Sequence, residues 1–198
     1  MMKKRPDKVM NPLTSASLRS RVVTSVEWPR MVKPLLKDLL APELKIVFCG
    51  TAASEVSATR GEYYAGPGNK FWPTLHKVGL TSRLLAPGEY RNLLEYGIGL
   101  TDVVKGQAGA DADIDFRRSD PEGVRQKVQR FSPVVLAFNG KRAAQVFLGR
   151  NKVAFGIVGD RVGVTRLFVA PSTSGAANRH WNVQFWYELA GMVQRAAT

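Results

Sequence analysis

The stretch Lys45-Ile46-Val47-Phe48-Cys49-Gly50-Thr51-Ala52-Ala53-Ser54 decides the fold class. Its first half is a short apolar run with β-branched residues, the pattern of a strand buried on both faces. The run stops at Gly50 and opens into a long glycine-rich loop containing Tyr64-Ala65-Gly66-Pro67-Gly68-Asn69-Lys70-Phe71-Trp72. A helix is expected from Asn69 or Lys70, with Phe71, Leu75 and Val78 at helical spacing. Pro73 fits such a helix only in its first turn.

Two further runs repeat the theme. Pro133-Val134-Val135-Leu136-Ala137-Phe138 predicts a second buried strand, followed by a helix from Gly140 to Leu148. Arg166-Leu167-Phe168-Val169-Ala170 predicts a third, before a closing helix from about Asn182 to Arg195. Gly97 to Val104 reads as extended, and Pro87 opens a helix carrying Leu93 and Leu94. Ser119-Asp120-Pro121-Glu122 has the form of a capping box, with Val124, Val128 and Phe131 on one face of its helix. A short helix is expected through Leu35 to Leu40. Strands alternating with helices predict an α/β domain of three layers, α/β/α, with a mostly parallel central sheet. In such sheets ligands bind outside the carboxyl ends of the strands. Three segments fall there: the loop after Cys49, the turn after Phe138 and the loop after Ala170. Neither a GxGxxG turn after the first strand nor a Walker A motif is present, which argues against a dinucleotide enzyme or P-loop NTPase.

The chain has 198 residues, enough for one domain with a full core, and 44% of them are apolar. No apolar run approaches the roughly 20 residues that span a bilayer. One cysteine, Cys49, cannot form a disulfide framework or alone hold a zinc or iron–sulfur site, and a cytoplasmic location fits it best. The net charge of +13 favours polyanions, nucleic acid first. Residues 1–30, with Lys3, Lys4, Arg5, Lys8, Arg19 and Arg21, are expected to be a basic, flexible extension, leaving 31–198 as a single domain.

Taken together, Lys45 to Ser54, Tyr64 to Trp72, Gly97 to Val104, Phe138-Asn139-Gly140-Lys141 and Pro171-Ser172-Thr173-Ser174 resemble the mismatch-specific uracil-DNA and thymine-DNA glycosylases, within the uracil-DNA glycosylase superfamily. The resemblance runs from about Leu40 to the C-terminus, and Gly-Pro-Gly-Asn-x-Phe-Trp is its most specific piece. It implies an enzyme that flips a base out of DNA and hydrolyses its N-glycosidic bond, without cofactor or metal. The expected substrate is uracil or a related damaged pyrimidine, mainly opposite guanine. The expected partner is double-stranded DNA, with single-stranded DNA as a second form. No membrane partner is expected, and the protein is expected to be a monomer.

The resemblance assigns a base pocket to Gly50, Thr51, Ala52, Tyr64 and Asn69. Tyr64 stands where relatives place an aromatic that stacks on the base, with Tyr63 as its rival. Backbone N–H groups of the loop can stabilise the departing pyrimidine anion. Asn69 either contacts the base or caps the helix. In the family pattern Gly-Ile-Asn-Pro-Gly, the asparagine positions the attacking water. Here Ala52 takes that place, and a methyl group cannot orient water. Asp102, in Gly-Ile-Gly-Leu-Thr-Asp-Val-Val, is the candidate replacement. Its carboxylate could act as general base, accept a hydrogen bond from the base, or merely cap a turn.

DNA contacts are expected from Lys141, Ser172, Ser174 and Arg179, the last as a wedge or phosphate anchor. Thr51, Ser54 and Ser174 are weaker catalytic candidates, because a hydroxyl is a poor base without a partner. Asp111, Asp113 and Asp115 lack the spacing of a calcium loop and read as a solvated acidic loop. His76 reads as a helix-surface residue, and His180 adjoins the DNA loop. Trp181, Phe185, Trp186, Tyr187 and Leu189 are expected to face the core. A rival to the enzyme is a protein that binds a damaged base without cleaving it.

Overall fold

The computed structural model describes residues 35–195, apart from the side chain of His180, so the extension expected at 1–30 lies outside the described residues. The elements in chain order are β1 (Ile46–Gly50), α1 (Glu55–Arg60), α2 (Phe71–Lys77), β2 (Ile98–Asp102), α3 (Pro121–Phe131), β3 (Val135–Asn139), α4 (Lys141–Leu148), β4 (Gly156–Val162), β5 (Thr165–Ala170) and α5 (Gln184–Arg195). 3₁₀ segments occupy Pro87–Tyr96, Phe116–Arg118 and Gly175–His180.

The five strands form one sheet in the order β2-β1-β3-β5-β4. β1, β2, β3 and β5 run parallel, and β4 returns antiparallel along β5. All residues of β1, β2 and β3 are buried, as expected of strands covered on both faces. Alternation along β1 separates two cores. Ile46 and Phe48 pack with Phe71 and Leu75 of α2 and with Trp186 and Leu189 of α5. Val47 and Cys49 pack on the other face with Val124 and Val128 of α3 and with Ala143 and Phe147 of α4. The mostly parallel three-layer α/β/α architecture is therefore the one the sequence predicts.

Local departures have local causes. Residues 35–40 are not helical. Leu39 and Leu100 exchange two backbone hydrogen bonds of 2.9 Å, so this segment lies along β2 and covers that sheet edge. Gly99 permits the approach, because a Cβ there would meet the Leu39 carbonyl oxygen at 2.8 Å. The loop after β1 contains the unexpected helix α1, capped by Ser54, whose Oγ accepts from Ser57 N–H at 3.2 Å. The cap of α3 is Asp120 rather than Ser119. Its Oδ1 accepts from Gly123 N–H at 2.8 Å, while Ser119 Oγ donates to the Phe116 carbonyl. The 87–96 segment is 3₁₀, with Leu93 buried and Leu94 exposed. Tyr187 does not face the core but is 42% exposed.

Candidate active site

At the carboxyl ends of β1, β2, β3 and β5 lies a cavity of about 330 Å³. Each of these strands ends in residues that line it: Gly50–Ser54 after β1, Asp102 closing β2, Asn139–Arg142 around the start of α4, and Ser172–Ser174 after β5. Tyr63, Tyr64 and Asn69 add to the wall, with Gly109, Ala110 and Asp111 folded in from the loop after β2. Parallel strands end in one plane, so residues far apart in sequence converge without any long excursion of the chain.

Asp102 is the most constrained carboxylate in the wall. It pairs in register with Gly50, and a Cβ at residue 50 would lie 2.5 Å from its Oδ1. Only glycine leaves room for that oxygen. The other oxygen, Oδ2, accepts from Lys105 Nζ at 3.1 Å. The same ammonium meets Asp38 Oδ1 at 2.6 Å and donates to Tyr63 Oη at 2.8 Å. Asp38 is completed by Lys127 at 2.7 Å and by the Thr101 hydroxyl at 2.7 Å. Burial alone would raise the Asp38 carboxyl, but Lys105, Lys127 and Thr101 outweigh it and hold it below the usual range. Burial would likewise lower the Lys105 ammonium, yet Asp102 and Asp38 hold it above its usual range. Lys105 is thus a committed cation that fixes one edge of Asp102 and leaves Oδ1 toward Gly50.

Tyr64 lies with its ring stacked on Phe71, centroids 3.9 Å apart and planes inclined by 26°. Its backbone is left-handed, φ 54°, which is uncommon for an aromatic residue. Tyr63 is 2% exposed and serves the core and the Lys105 network, although its edge also reaches the cavity. Asn69 Oδ1 accepts from Phe71 N–H at 3.0 Å, so its side chain caps the start of α2. A chain of bonds then ties three loops together. The Asn139 amide donates to Thr173 Oγ1 at 2.9 Å and accepts from Thr173 N–H at 3.0 Å. The Thr173 carbonyl accepts from Lys70 N–H at 2.8 Å. The Lys70 ammonium donates to Asn178 and lies 5.3 Å from the Trp181 ring centroid.

A family model for the Uracil DNA glycosylase superfamily matches residues 37–190. The chain belongs to this superfamily. A solution NMR structure of a "putative Uracil DNA glycosylase" from Methanosarcina acetivorans is similar, with a TM-score of 0.54 and 21% sequence identity over 80% of this chain and 96% of that chain. At that identity the likeness concerns the fold.

Within this superfamily fold, most residues singled out from the sequence meet at one place. Gly50, Thr51, Ala52, Tyr64, Asn69, Asp102, Lys141, Ser172 and Ser174 all line the cavity. Arg179 is exposed and is not part of its wall. Ser54 reaches the wall but is committed to capping α1. His76 is exposed on α2. Burial pushes the Cys49 thiol far up, which leaves it inert.

Asp111 and Asp113 are exposed, as a solvated acidic loop requires, but Asp111 also lies at the cavity. Ala108 bridges to Ala53, and Gly109 N–H donates to the Ala53 carbonyl at 3.0 Å, which brings Asp111 into the cavity wall. Burial raises its carboxyl, opposed by Thr51 and Arg142. Asn139, Arg142, Lys105 and Asp38 also escaped the sequence reading as contributors. Asp38 and Thr101 are 63 residues apart, a pairing that no local pattern announces. The Asp102–Lys105 spacing was a visible hint. Among the described residues, no group of three or more His, Cys, Asp and Glu could hold a metal ion.

Proposed function

We propose that this protein is a monofunctional DNA glycosylase of the mismatch-specific uracil/thymine type. It flips uracil, or a related damaged pyrimidine mainly opposite guanine, out of DNA and hydrolyses the N-glycosidic bond, leaving an abasic site. The carrying observation is the Asp102 carboxylate, which lines the cavity with Tyr64, is held by Lys105 and has room beside Gly50. A base inside a duplex cannot be reached, so it must be extruded into such a cavity.

Cleavage builds positive charge on the sugar and negative charge on the departing pyrimidine. A fixed carboxylate stabilises the first and can take a proton from water. Lys105 is charged and fully engaged, which leaves it unsuited to attack as an amine. On this reading Lys141, Ser172 and Ser174, which line the cavity, grip phosphates around the flipped nucleotide. The net charge of +13, including the basic residues of 1–30, adds affinity for DNA of any sequence.

Ala52 favours a second reading, a protein that binds the damaged base without cleaving it, because it brings only a methyl group to the cavity. Duplexes carrying uracil opposite guanine, uracil opposite adenine and thymine opposite guanine, with single-stranded uracil DNA beside them, separate the two. The enzyme reading expects abasic sites, fastest opposite guanine. Retention of uracil-DNA with no abasic sites establishes the binding protein instead.

A further inference from the structure

We propose that the Tyr64 hydroxyl and Asp102 Oδ1 together hold the attacking water, in place of the polar side chain missing at Ala52. The proposal rests on the glycosylase reading above and adds to it a residue whose ring alone had a role. Tyr64 Oη is buried and makes no well-formed hydrogen bond among the described residues, the Asn139 amide alone being close enough to act on it. Buried hydroxyls are almost always bonded, so an orphan in a cavity wall marks a place where a ligand or water belongs. The nearby Asn139 amide is engaged twice by Thr173. Stacking on Phe71 and the left-handed backbone at Tyr64 fix the direction of the phenol.

The opposing oxygen is fixed as well. Lys105 occupies Asp102 Oδ2, so Oδ1 is the edge left toward the cavity. The point that a Cβ on Gly50 would occupy lies 2.5 Å from Asp102 Oδ1 and 3.5 Å from Tyr64 Oη. The two oxygens therefore both lie against Gly50 without bonding to each other, and the proposal sets one water between them. Burial and the Asp102 charge push the Tyr64 phenol far above its ordinary range, so it stays protonated and can donate. The water would accept from Tyr64 O–H and donate one hydrogen to Asp102 Oδ1, keeping a lone pair for the sugar. On attack, its oxygen bonds to C1′ and the C1′–N1 bond breaks. That bond's electron pair leaves with the pyrimidine, and the water proton passes to Asp102.

Tyr64→Phe keeps the ring and removes the hydroxyl. Single-turnover excision should fall about 10- to 100-fold, by the same factor for uracil and 5-fluorouracil, while affinity for an uncleavable uracil-analogue duplex is unchanged. Thermal stability should hold or rise, because no protein hydrogen bond is lost. Excision equal to wild type overturns the proposal. So does a clearly smaller loss with 5-fluorouracil, whose more stable anion needs less help, since that would put the hydroxyl on the leaving group. A fall of several degrees in Tm would also overturn it, by revealing a structural partner. An inactive wild type overturns the glycosylase reading itself, a result distinct from an active enzyme indifferent to Tyr64→Phe.

Discussion

The ammonium of Lys105 lies 3.1 Å from Oδ2 of Asp102, three residues earlier in the chain, with the two side chains 17% and 4% exposed. An isolated carboxylate so deeply buried would be costly, and the pair makes it tenable. Lys105→Met would leave both Asp102 and Asp38 without their shared cation. Loss of about 3–5 kcal/mol of stability is expected, read by urea denaturation. Lys105→Arg should recover part of the stability.

The same network sets a pH dependence. A carboxyl depressed in the fold, as Asp38 is, stabilises above its unfolded value near about pH 4, and the contribution fades as pH falls through the lower folded value. An ammonium raised in the fold, as Lys105 is, stabilises fully below about pH 10.4 and fades as pH rises through its higher folded value. The stability difference between wild type and Asp38→Asn should therefore be flat from about pH 5 to about pH 9. It should narrow toward acid, as measured by denaturation carried below about pH 4.

Gly50 is required by contact. In Gly50→Ala the new methyl meets Asp102 Oδ1 at 2.5 Å, and this oxygen cannot retreat without turning the carboxylate and straining the bond of Oδ2 to Lys105. Stability should drop by about 1–3 kcal/mol. Excision should fall far more than that loss implies, since the displaced oxygen is the one facing the cavity. Single-turnover assays on folded protein, checked by circular dichroism, read both effects.

Asn139 joins the loop after β5 to the end of β3. Asn139→Ala would strand the buried N–H and hydroxyl of Thr173, costing about 1–3 kcal/mol. Because Ser172 and Ser174 flank Thr173, weaker binding of a uracil-containing duplex should accompany the lower Tm. Fluorescence anisotropy measures the binding.

The buried strands were legible because Ile46–Cys49, Val135–Phe138 and Leu167–Ala170 are continuous apolar runs bounded by turn residues. β4 was not, since Gly156, Gly159, Asp160 and Arg161 give it little apolar content, and as an edge strand it leaves Ile157 59% exposed. Helix α1, with six residues, is too short to show a period. The 35–40 segment has helical spacing, but pairing with Leu100 overrides that propensity. For the site, the loop at Gly50, Tyr64 and Asp102 could be found because each belongs to a motif. Asp38 and Asp111 could not, because chain reversals that no motif marks bring them to Lys105 and Thr51.

In the proposed reaction Asp102 performs the chemistry that Ala52 cannot. The most direct measurement of this role is single-turnover excision of uracil from a uracil·guanine duplex by wild type, Asp102→Asn and Asp102→Ala, with DNA binding measured alongside. Excision should fall at least about 100-fold in both variants with binding retained. Excision by Asp102→Ala at the wild-type rate would contradict that role.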